Sequence, residues 1–115
     1  MKACDVYKTG ESEGKEKHVP EMELHKGKGK QDKDIVKVTV GKEVPHPNSV
    51  EHHISWVQLM GVKDNGNVID LGKFDFAPAF TEPEASFHVP TSEFKSLIAT
   101  SYCNIHGLWE NSMEL

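Results

Sequence analysis

The stretch Asp34-Ile35-Val36-Lys37-Val38-Thr39-Val40-Gly41 decides the fold class. Val36, Val38 and Val40 alternate with Lys37 and Thr39, and successive side chains of an extended backbone point to opposite faces. An apolar row on one face and a polar row on the other marks a half-buried strand.

The same reading extends outward from this strand. Pro45 and Pro47 bracket His46, so that segment cannot lie in the middle of a ladder. His52–Lys63 predicts a second strand, with Ile54, Trp56, Gln58 and Met60 on one face and His53, Ser55, Val57 and Leu59 on the other. Asp64-Asn65-Gly66 is a tight-turn signal, so Asn67–Phe76 returns as its hairpin partner. Beyond a loop punctuated by Pro78 and Pro83, Glu84–Val89 predicts a short strand, and Pro90-Thr91-Ser92-Glu93 a turn. Ser96–Tyr102 predicts another strand, which delivers Cys103 at its end. Gly107 forces a turn, and Leu108–Leu115 forms a last strand. Upstream, residues 1–34 are polar and read as loop, with a helical turn near Asp5–Thr9 and an extended piece near Glu21–Leu24. No segment holds a helical apolar period, and several short strands separated by turn signals predict an all-β sandwich.

A chain of 115 residues is expected to form one domain with one core. Its 37% apolar and 27% charged content is ordinary for a soluble globular protein. No apolar run approaches the roughly 18–20 residues that span a bilayer, so no membrane association is expected. The N-terminus has no apolar export segment, which makes the cytoplasm the expected compartment. A net charge of −5 argues against a nucleic-acid partner held through phosphate neutralisation. Lys26, Lys28, Lys30 and Lys33, set among glycines, read as a solvated loop.

The chemistry-bearing residues are His18, His46, His52, Cys103 and His106. Cys103 and His106 form a Cys-x-x-His pair, a spacing at which one turn can aim both side chains at a metal, although zinc sites use it too. Gly107 behind it permits the positive φ such a turn often needs. His46 and His52 flank a Pro47-Asn48 loop, from whose two ends their rings can converge. Strand geometry turns His53 away from His52, so His53 reads as structural. His18 alone, in a polar loop, is an unremarkable candidate, and His25 and His88 lack ligand-like spacing. Cys4 reads as a free thiol. A closed zinc site takes four donors, and five would be one too many. Imidazoles with a single thiolate suit iron cycling between Fe(II) and Fe(III), with one position left open.

Three segments then resemble the superoxide reductases, specifically the single-iron, neelaredoxin-like class. They are Glu16-Lys17-His18-Val19-Pro20, His46-Pro47-Asn48 with Glu51-His52-His53-Ile54, and Ser101-Tyr102-Cys103-Asn104-Ile105-His106-Gly107-Leu108-Trp109. The resemblance implies an immunoglobulin-like seven-stranded antiparallel β-sandwich with a mononuclear non-haem iron. It implies His18, His46, His52 and His106 as equatorial ligands, the last through Nδ1 and the others through Nε2, and Cys103 as the axial one. It further implies amides of Ile105 and His106 on the sulfur, Glu16 at the sixth position of the ferric ion and Lys17 over the open ferrous site. The implied reaction is one-electron reduction of superoxide to hydrogen peroxide, with a rubredoxin-like electron donor and a homo-oligomer, tetramer or dimer. The connection from Phe76 to Glu82 is shorter than the Gly-rich loop associated with most relatives. Three rival readings are a non-catalytic β-sandwich binding module, a structural zinc protein and an iron enzyme that mainly dismutates superoxide.

Overall fold

The computed structural model describes residues 1–14 and 17–115. Seven strands follow in order: β1 Pro20–His25, β2 Asp34–Val40, β3 Ile54–Val62, β4 Val68–Asp75, β5 Glu84–Val89, β6 Ser96–Cys103 and β7 Gly107–Glu114. One sheet has the order β1-β2-β5 and the other β4-β3-β6-β7, with every neighbouring pair antiparallel. This is the expected immunoglobulin-like sandwich.

Alternation along β2 does what its sequence implies. Val36, Val38 and Val40 are buried against the facing sheet, where they meet Val57 and Leu59 of β3 and Leu97, Ala99 and Cys103 of β6. Each buried valine contributes about 1.5–3 kcal/mol relative to an exposed one. Cys103 is thus a core residue as well as a chemical one.

The phase of β3 differs from the expectation. Ile54 pairs with Cys103, but Trp56 pairs with Tyr102, so Ser55 is an extra residue in the ladder. Such a bulge breaks the period of two. Ile54 therefore joins Val57 and Leu59 in the core, while Trp56 lies half-buried on the outer face. At the N-terminus the helical turn forms at Ala3–Val6 rather than near Asp5–Thr9. The Asp5 carboxylate accepts the Lys2 N–H at 2.8 Å, which starts the turn early. The chain then runs beside the edge of the larger sheet: Lys8 N–H donates to the Leu108 carbonyl at 2.9 Å, and Glu110 N–H donates to the Lys8 carbonyl at 2.8 Å. No helix among the described residues is long and apolar enough to cross a membrane.

Candidate metal centre

The five expected residues meet where β1 and β3 begin and β2 and β6 end. His18 precedes β1 and is held from both sides. Its N–H donates to the Glu13 carboxylate at 2.6 Å, which also accepts the Val19 N–H at 3.2 Å, and its carbonyl accepts the buried Ser101 hydroxyl at 2.9 Å. The His18 ring stacks on Trp109 of β7, with centroids 4.5 Å apart and planes 12° from parallel.

His46 sits in the β2–β3 loop, just past the end of β2. Gly41 makes that placement possible: its φ is +78°, and a Cβ there would lie 2.5 Å from the His46 amide nitrogen. The His46 ring places Nδ1 2.7 Å from the Pro47 carbonyl. A carbonyl only accepts, so Nδ1 carries the proton there, and Nε2 faces Cys103, 3.6 Å from Sγ. His52 closes the same loop, its N–H donating to the Ser49 hydroxyl at 3.1 Å and its carbonyl accepting the Ser49 N–H at 2.8 Å.

Cys103 ends β6, fully buried. The following turn is possible because Gly107 takes φ +86°, as its position in the sequence implies. Asn104 stitches this turn to the other loop: its side chain accepts the His53 N–H at 2.8 Å and donates to the Glu51 carbonyl at 2.9 Å. The His106 N–H donates to Cys103 Sγ at 3.4 Å, and His106 Nδ1 lies 3.8 Å from the same sulfur. Of the two amides expected on the sulfur, that of His106 reaches it; the Ile105 amide makes no such bond among the described residues.

The four rings form a closed cycle. Centroids are 4.9 Å apart for His18–His46, 4.8 Å for His46–His52, 5.2 Å for His52–His106 and 4.8 Å for His106–His18. Donor atoms of His18, His46, His52 and Cys103 lie within 4.8 Å of one another. His18 Nε2 and His106 Nδ1 are 3.1 Å apart. Donors about 2.1 Å from one ion and at right angles would be about 3 Å apart, so this spacing fits adjacent corners of a coordination polyhedron. His18, His46 and Cys103 are buried, whereas His52 and His106 are half-buried, which leaves one flank accessible. The arrangement can hold a metal ion with thiolate and imidazole donors.

Other candidates lie elsewhere. The His53 ring places Nδ1 3.1 Å from the Ser49 carbonyl. His25 pairs with Glu23 at 2.9 Å, and His88 Nδ1 accepts the Lys30 N–H at 2.9 Å. Cys4 is an exposed free cysteine. Lys17 is exposed, its ammonium 3.5 Å from the Gly14 carbonyl. Glu16 lies outside the described residues. Sequence reasoning missed Glu13, Gly41 and the roles of Ser101 and Asn104; the last two carried a positional hint, since both lie in the segment Ser101–Trp109.

Comparison with known proteins gives a consistent picture. Residues 10–112 match the family model described as Desulfoferrodoxin. A superoxide reductase from Thermococcus kodakarensis is 47% identical over 116 residues, covering 96% of each chain. A neelaredoxin from Megalodesulfovibrio gigas is 35% identical over 126 residues, covering 97% of this chain and 95% of the relative. The solved superoxide reductase (neelaredoxin) from Ignicoccus hospitalis superposes with a TM-score of 0.85 at 32% identity, over 100% of this chain and 98% of the other.

Proposed function

Because the chain belongs to the desulfoferrodoxin family, in its single-iron superoxide reductase branch, we propose that it reduces superoxide to hydrogen peroxide at a mononuclear iron. The ligands in this reading are His18, His46, His52, His106 and Cys103. Residues 1–115 act as one iron-binding domain in the cytoplasm. Each turnover joins one superoxide, one electron and two protons into one hydrogen peroxide, and a rubredoxin-like protein returns the electron. The working form is a homo-oligomer, tetramer or dimer.

The observation that carries this reading is the cycle of four imidazoles closed over a buried cysteine sulfur, with adjacent donors as near as 3.1 Å. Five such donors exceed the tetrahedral set of a closed zinc site. Iron bound there supplies a one-electron couple between its ferrous and ferric states. The protein does the rest. The His106 amide on the sulfur tempers how strongly the thiolate donates charge. Pro47 fixes which His46 nitrogen faces inward. Lys17, beside His18 and exposed, draws the anion toward a molecule whose net charge of −5 opposes it. Glu16 is the proposed carboxylate partner of the oxidised iron.

The test is spectroscopic and kinetic. Purified protein should contain one iron and turn blue on mild oxidation, from thiolate-to-ferric charge transfer. It should consume superoxide with a reductant present and evolve no dioxygen. Cys103→Ser should lose the colour, and Lys17→Ala should slow superoxide capture about tenfold and flatten its salt dependence. Zinc in place of iron, or an unchanged spectrum in Cys103→Ser, overturns the reading.

A further inference from the structure

A positive charge is fastened to this centre from a part of the chain that supplies none of its donors. Lys8 is tied to the edge of β7 by main-chain bonds on both its N–H and its carbonyl. Its ammonium donates to the His106 carbonyl at 3.0 Å and lies 5.4 Å from the centroid of the Trp109 ring. Trp109 in turn stacks on His18. One side chain therefore touches the supports of two of the four imidazoles, His106 through its own peptide and His18 through the indole.

We propose that Lys8 is a positioning residue of the metal centre, its ammonium held beside the His106 carbonyl and the Trp109 ring and setting the local potential felt by the imidazoles of His106 and His18. The inference rests on the reading of the site as an iron centre. Its sign follows from electrostatics. A fixed cation stabilises whichever form of the centre carries the extra electron, so its removal favours the oxidised form and lowers the midpoint potential. Lys8 is exposed, so water and salt screen the effect and hold it to a modest size. The main-chain bonds of residue 8 do not depend on its side chain, so side-chain variants keep the N-terminal segment on the edge of β7.

The experiment uses the iron-loaded protein, followed by its thiolate-to-metal absorption during a potential titration, with iron content measured for every variant. At the ambient potential where the parent is half-reduced, Lys8→Met should raise the ratio of oxidised to reduced protein about threefold. Lys8→Glu should raise it further, and Lys8→Arg should match the parent. High salt should shrink the difference. Identical potentials across all four proteins overturn the inference and leave the proposed function standing. Equal displacement in Lys8→Arg and Lys8→Met also overturns it, since packing alone would then account for the contact. A parent protein that takes up no iron overturns both readings.

Discussion

A hydrogen atom in place of a side chain at position 41 keeps His46 within reach of Cys103. Gly41→Ala forces a methyl to 2.5 Å from the His46 amide at a backbone φ of +78°. That conformation costs a side chain on the order of 1–3 kcal/mol. We expect the variant to lose about that much stability in urea unfolding and to bind iron more weakly in a competition titration with a chelator. If stability falls while affinity does not, Gly41 shapes the loop without shaping the site. That these residues gather was legible, since Cys103 and His106 sit at a chelating spacing and His46 and His52 flank a proline loop. His18 became legible only in company with those motifs. Glu13 and Gly41 left no trace, because their roles exist only once loops distant in the chain have met.

At the scale of the elements, the start of β2 is fastened to the turn after β5. The Thr91 hydroxyl donates to the Asp34 carboxylate, as do the Gly27 N–H at 2.7 Å and the Thr91 N–H at 3.2 Å. These bonds, the Thr91 hydroxyl first, hold the Asp34 carboxyl below its usual range, and Lys26 adds a smaller push the same way. A depressed folded-state value stabilises the fold above the unfolded titration near roughly pH 3.9, and that contribution is lost as acid carries the pH down through the folded-state value. Asp34→Asn should therefore flatten this part of the acid limb in a series of unfolding curves from pH 7 to pH 2. An acid limb of unchanged slope would assign it to other carboxylates. The strands themselves were legible here: β5 runs over Glu84–Val89, as its sequence implies, and β2 differs only at its last residue. The Ser55 bulge was not, because alternation in a sequence presumes an unbroken ladder and the extra residue is set by pairing with β6.

At the scale of the whole molecule, the centre joins loops that the sandwich alone holds together only at their strand ends. An ion that binds the folded form stabilises it by mass action, about 4 kcal/mol when free metal is a thousandfold above the dissociation constant. Stripping iron with a chelator should then lower the melting temperature by about 10 °C or more, read by circular dichroism on loaded and stripped samples. An unchanged melting temperature would mean that the metal is not held by this constellation. The donors that resolve into a cycle in space run from His18 to His106 along the chain. A polypeptide still on the ribosome, not yet extended through position 106, lacks one corner of the square. On the proposed ligand set, such a chain already carries His18, His46, His52 and Cys103, and only the arrival of His106 completes the donors.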